Sequence, residues 1–251
     1  MMKNIVNVKN LNLTYNANSI KPYHALKDIN LQVTEGDFVA IMGPSGSGKS
    51  SFLNVLASLQ APSSGSVLID EQNIWQLNAN QLAKFRGQKL GFIFQEYNLI
   101  ESLSVADNIA LPLSLAKAKH TTITDAVNQV ATLLHLKDQL KKFPNELSGG
   151  QKQRVAAARA LVHQPKLIFG DEPTGALDSA NAREMMNYLN KINIEQHISI
   201  LMVTHDAFSA SFANKIHFLS DGQIVQTLER SNQSRETFYR AILDFLGTFE
   251  E

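Results

Sequence analysis

Short apolar runs alternate along this chain with longer stretches in which apolar residues return every three or four positions. The short runs predict strands at 5–8, 29–33, 38–42, 66–69, 90–94, 166–171, 198–204 and 215–220. Asp221-Gly222 predicts a hairpin turn into a further strand at 223–228. Helical spacing predicts helices at 51–59, 80–85, 124–136, 150–162 and 179–192. In the third of these, Val127, Val130, Ala131, Leu134 and Leu136 form one apolar stripe. Short strands alternating with helices imply an α/β core with a largely parallel sheet. Residues 96–163 lack strand runs and read as a helical subdomain inserted into the sheet core of 1–95 and 164–230. A tail, 231–251, carries Phe238, Ile242 and Leu246 at four-residue steps, so it is expected as a helix with one apolar stripe. That stripe either packs on its own domain or docks on another chain.

Composition narrows the picture. Lysine plus arginine equals aspartate plus glutamate, 23 each, which gives no electrostatic case for nucleic acid. The absence of cysteine excludes disulfides, thiolate metal sites and a cysteine nucleophile, and suits a reducing compartment. The N-terminal residues alternate like a strand and lack the apolar core of a secretion signal. Apolar stretches such as 198–203 fall far short of the ~20 residues that span a bilayer. The expectation is a soluble, cytosolic chain that meets a membrane only through a partner.

The chemistry begins at Gly43-Pro44-Ser45-Gly46-Ser47-Gly48-Lys49-Ser50, followed by Ser51. It fits G-x-x-x-x-G-K-[ST] and lies between a strand-like run and a helical pattern, the context a phosphate-binding loop needs. Glycines let the backbone point several N–H groups at one phosphate chain, and the helix adds its positive end. Lys49 is placed for the β- and γ-phosphates and Ser50 for Mg²⁺. A nucleoside triphosphate is therefore the expected ligand. The matching acidic group is Asp171-Glu172, at the end of the run 167–170. Asp171 suits the metal shell, and Glu172 is placed to orient and deprotonate a water. Between the two, Ser148-Gly149-Gly150-Gln151 opens a helix and makes a second anion-binding start. One triphosphate needs only one cradle, so a second in a separate subdomain suggests a site shared by two copies of the chain.

Leu147-Ser148-Gly149-Gly150-Gln151 resembles the signature of ATP-binding-cassette ATPases, and the likeness covers nearly the whole chain with the motifs in family order. The resemblance implies a P-loop NTPase fold: a RecA-like parallel sheet core, an N-terminal antiparallel β subdomain and an inserted α-helical subdomain. It implies ATP hydrolysis with Mg²⁺ and a head-to-tail dimer sandwiching ATP. By the same resemblance, Tyr15 stacks on adenine, and Gln95 touches Mg²⁺ and senses a membrane partner. Asp178, in Ala176-Leu177-Asp178, lies in the loop that crosses the dimer interface, and His205 is the switch histidine at the γ-phosphate. Two departures are small. Ser51 replaces a frequent threonine but keeps the hydroxyl, and Gly170 replaces a bulkier apolar residue and should loosen the strand slightly.

Three kinds of cassette protein compete: a transporter ATPase, a DNA-repair or translation factor, and an assembly or cell-division cassette. No long heptad coiled coil and no second cassette is present, which argues against the second kind. Residues 91–99 and 171–178 resemble the branch of macrolide exporters, lipoprotein-release ATPases and the cell-division cassette. Within it, residues 143–154, residues 108–114 and the tail resemble bacitracin-type antimicrobial-peptide transporters. That likeness implies a permease partner and a place at the cytoplasmic face of the membrane. It also makes the permease or the second subunit the alternative dock for the tail.

Overall fold

The computed structural model describes residues 3–17 and 21–249; the outermost residues of the expected first domain and tail lie outside them. Two long strands open the chain, β1 (Asn4–Tyr15) and β2 (Tyr23–Thr34). Alternation predicted only 5–8 and 29–33. The reason is local: Asn10 and Asp28 take left-handed backbone at φ 47° and 50°. The register shifts between Val8 and Leu11 and again before Leu13, so the polar–apolar beat slips while pairing continues.

The chain continues through β3 (Phe38–Met42), α1 (Lys49–Leu56), β4 (Ser64–Ile69), β5 (Gln72–Asn73), α2 (Ala79–Lys89) and β6 (Leu90–Ile93). Three helices follow with no strand between them: α3 (Val105–Leu115), α4 (His120–Leu133) and α5 (Gly149–Leu161). The rest is β7 (Leu167–Asp171), α6 (Ser179–Gln196), β8 (Ser199–Val203), α7 (Ala207–Ala210), β9 (Lys215–Ser220), β10 (Gln223–Glu229) and α8 (Arg235–Phe249). α4 begins and ends earlier than the predicted 124–136. His135 leaves the helix at φ 51°, and Leu134 and Leu136 enter the core from the turn beyond it. α3 and the one-turn α7 were not resolved from the pattern. α3 owes its start to Ser104 as N-cap and to Asn108, wholly buried, whose amide bonds Ile100, Leu103 and Ser104.

β3, β6, β7, β8 and β9 run parallel in the order β10-β9-β3-β8-β7-β6, with β10 antiparallel at the edge. β2-β1-β4-β5 form a second, antiparallel sheet. This is the P-loop NTPase architecture that the resemblance implied. Every residue of β3 and β8 is buried, as a sheet covered on both faces requires. One face packs on α3–α6, the other on α1 and the antiparallel sheet.

The tail packs on its own domain. Phe238 and Ile242 of α8 are fully buried in the same core as Phe218, and the Phe245 ring lies 4.3 Å from that of Phe218. No helix among the described residues is long and apolar enough to cross a membrane.

One buried histidine makes stability respond to mild acid. His217 on β9 is 8% exposed, and its Nδ1 pairs with Thr227 at 2.8 Å while its Nε2 has no partner. Burial, with Lys215 adding to it and Glu229 opposing, lowers its pKa from 6.5 to about 4. Between those values the unfolded chain binds the proton and the folded chain does not. Stability contributed by the neutral ring is therefore whole above 6.5 and is lost as pH falls toward 4. The loss is about 3 kcal/mol. Urea midpoints across this range should fall more steeply for the wild type than for His217→Gln. Parallel curves would show that the imidazole is not the cause.

Candidate active site

The carboxyl ends of the parallel strands converge on one side of the sheet, where open α/β folds bind ligands. The loop 43–50 leaves β3 there, Gln95 follows β6, Asp171 and Glu172 end β7, and His205 follows β8. The register that sets Asp171 opposite Val203 brings Glu172 beside the residues after β8.

The loop is wedged between β9 and β2, and glycine is obligatory at two points. A Cβ on Gly43 (φ 156°) would lie 2.0 Å from the Leu219 carbonyl oxygen, and one on Gly48 (φ 106°) 2.6 Å from that of Ala25. Gly48 stands at the head of α1, so the helix start faces into the loop. Ser47 Oγ is buried there without a hydrogen-bond partner. Lys49 is 8% exposed and its ammonium donates to the Gly43 and Pro44 carbonyls at 2.8 and 2.9 Å. An incoming phosphate competes with those carbonyls for the same donor. Burial lowers the Lys49 pKa, and Glu172 and Asp171 oppose that shift by charge. Asp171 shifts up, first through burial and then through Glu172, with Lys49 pulling it back. The loop cation and the acidic pair therefore act on one another through charge, with no ion pair between them.

Glu172 sits in left-handed backbone at φ 44°, a conformation that costs energy for a residue with a side chain. Its Oε1 accepts a hydrogen bond from His205 Nδ1 at 2.9 Å. Gly175 lies between Gln95 and Glu172: a Cβ on it would be 3.0 Å from Gln95 Nε2 and 3.2 Å from Glu172 Oε2. Gly170 leaves room for a methyl group, with Pro173 and Met202 at 3.4–3.5 Å from a Cβ there. Among the described residues no group of three or more His, Cys, Asp or Glu can hold a metal alone. Ser50, Gln95 and Asp171 carry hard oxygen donors, a set that fits magnesium better than zinc or copper.

Tyr15 stands at the end of β1 with its hydroxyl 3.3 Å from Ser51 Oγ. The Tyr23 ring stacks parallel to it at 6.4 Å, and the Tyr23 hydroxyl reaches the Gly46 carbonyl. Sequence reading did not single out Tyr23; it precedes the predicted second strand and carries no motif.

The turn 148–150 is exposed at its tip. Ser148 and Gln151 close a reciprocal cap at the head of α5. Gly150 packs so tightly on α6 that a Cβ would meet Asn181 Oδ1 at 2.2 Å. Asn181 in turn holds Asp178, the N-cap of α6, at 2.6 Å. Asn181 thus ties Gly150 to Asp178, a link that sequence spacing does not reveal. Gln153, 1% exposed, donates to Pro173 and Phe94, joining α5 to the residues that flank Glu172 and Gln95. Arg159 donates to the Tyr97 and Asn98 carbonyls behind Gln95.

A family model described as ABC transporter matches residues 26–175. The chain is 44% identical to a bacitracin export ATP-binding protein, BceA, of Halalkalibacterium halodurans over 97% of this chain and 96% of that one. It is also 44% identical to a macrolide export ATP-binding/permease protein, MacB, of Aggregatibacter actinomycetemcomitans, over 90% of this chain but 35% of that protein. Among solved structures it resembles the dimeric ATP-binding cassette MJ0796 in a post-hydrolysis state bound to ADP and Pi. That match has a TM-score of 0.82 and 39% identity, covering 89% of this chain and 98% of the other.

Proposed function

Since the chain belongs to the ATP-binding-cassette transporter family and is the ATP-hydrolysing subunit of such a transporter, we propose that it powers a permease that confers resistance to antimicrobial peptides of the bacitracin or lantibiotic type. The observation that carries the peptide reading is end-to-end likeness to a bacitracin export ATPase, against a match to only the cassette part of the macrolide exporter.

The family resemblance implies the residue roles, and their meeting at the strand ends supports them. ATP lies along 43–51, its phosphates on the loop N–H groups and on Lys49, its adenine against Tyr15. Ser50, Gln95 and Asp171 would hold magnesium, which would supply positive charge to offset that of the β- and γ-phosphates. Glu172 orients the attacking water and takes its proton. His205, held by the Glu172 carboxylate, steadies the γ-phosphate. The cap 148–150 and Gln151 of a second copy covers that phosphate, and Asp178 lies where the two copies meet. Hydrolysis removes the shared ligand and the copies part.

The permease spans the membrane and holds this chain at the cytoplasmic face. A groove of about 800 Å³ beside Gln95 suits its docking. Phe92, Phe94, Leu111 and Pro112 line it, with Leu115 76% exposed at its edge. Arg159 forms part of the same wall, so movement there reaches Tyr97 and Asn98 behind Gln95.

The test is genetic. Deletion of the gene should sensitise its host to bacitracin or a lantibiotic, with wild type but not Glu172→Gln restoring resistance. A shift in macrolide susceptibility alone would replace the peptide reading with the exporter one. No change for any of the three drugs would favour an assembly or cell-division role.

A further inference from the structure

α7 is a single turn that starts two residues after His205. A helix this short has little stability of its own, so the groups packed on it decide where His205 sits. Asp206 caps it, accepting from Phe208 N at 3.1 Å and Ser209 N at 2.9 Å. Thr174, just beyond Glu172, shares a buried hydrogen bond with Ser209 at 2.9 Å. Further support comes from the tail and from α6. The Arg235 guanidinium lies 5.4 Å from the Phe208 ring centroid and 4.7 Å from that of Phe212. Those rings meet edge to face at 5.4 Å. Arg183 of α6 lies 5.5 Å from the same Phe208 ring. Phe208 is thus flanked by arginines from two elements, one from the helix that Asp178 caps and one from the first residue of α8.

Arg235 is well placed to bear on this turn. Phe238 and Ile242, fully buried, root its helix in the core. Its ion pair with Glu236, at 3.4 Å with the glutamate 70% exposed, adds little. The cation–π contacts, on the buried Phe212 ring and the partly buried Phe208 ring, are the stronger interaction.

We propose that α8 is a brace for the switch turn and that Arg235 is a positioning residue for hydrolysis, stacking on Phe208 and Phe212 so that α7 presents His205 to Glu172. The inference rests on the role of His205 given above. The brace acts behind the switch turn and not on the phosphate loop, so nucleotide affinity should hold.

Steady-state ATP hydrolysis by the full-length chain tests it. Arg235→Ala should lower kcat about threefold or more and leave KM within about twofold of wild type. Arg235→Lys should restore most of the loss, and Arg240→Ala, an exposed arginine on the same helix, should match wild type. In a His205→Ala background, adding Arg235→Ala should cost nothing further, whereas a merely structural role would cost as much in both backgrounds. If Arg235→Ala does not fold, Arg235→Gln keeps much of the stem without the charge and carries the same test. Wild-type kcat in Arg235→Ala beside a crippled His205→Ala overturns the brace alone, as does full additivity. Wild-type kcat in His205→Ala overturns the reading of the histidine itself.

Discussion

Glu172→Gln should bind ATP as tightly as the wild-type chain and lose about two to four orders of magnitude of turnover, the range a positioned general base supplies. The substitution is nearly isosteric. A glutamine side chain is no longer than that of Glu172, and its amide oxygen can still accept from His205 Nδ1, as Glu172 Oε1 does at 2.9 Å. The left-handed backbone at φ 44° asks the same of either residue. What is lost is the capacity to take a proton from water. The phosphate loop lies on a different strand end and keeps all its own N–H and ammonium donors, so binding and turnover separate. Titration with a fluorescent ATP analogue alongside phosphate release reads both. Wild-type release would move the base to another residue.

Lys49→Ala should act on binding itself, weakening ATP affinity about 10- to 100-fold, the worth of a charge-assisted hydrogen bond. Lys49 is the only cation in the 43–51 loop. It is almost fully buried, and the charges of Glu172 and Asp171 favour its charged form. Alanine also strips the Gly43 and Pro44 carbonyls of their donor. Acceptors left in this way cost about 1–3 kcal/mol of stability where water does not replace the ammonium. A thermal midpoint taken beside the titration separates the two losses. Unchanged affinity would remove Lys49 from the site.

Much of this site was legible because its chemistry is compressed into short segments. Nine consecutive residues make the phosphate loop, and Asp171-Glu172 and the turn 148–151 are equally local. A strand end followed by a helix is enough to read such segments. The sheet order and the length of β1 and β2 were not legible. Left-handed residues such as Asn10 reset the alternation from which strands are read, and strand order depends on pairing between distant segments. The links that join the motifs were hidden for the same reason. Asn181 meets Gly150 and Gln153 meets Pro173 only through folding, and each alone is an ordinary polar residue on a helix. α7 escaped because one turn offers no period to detect. The fate of the tail stripe depended on whether the core left a place for Phe238, which no local pattern records.

The claim on which the rest depends is that two copies of this chain share each ATP, the loop 43–51 from one and the cap 148–150 from the other. The molar mass of Glu172→Gln by light scattering, with ATP and then with ADP, tests it most directly. A dimer with ATP that reverts to monomer with ADP is the expected result. The same mass with both nucleotides would contradict it.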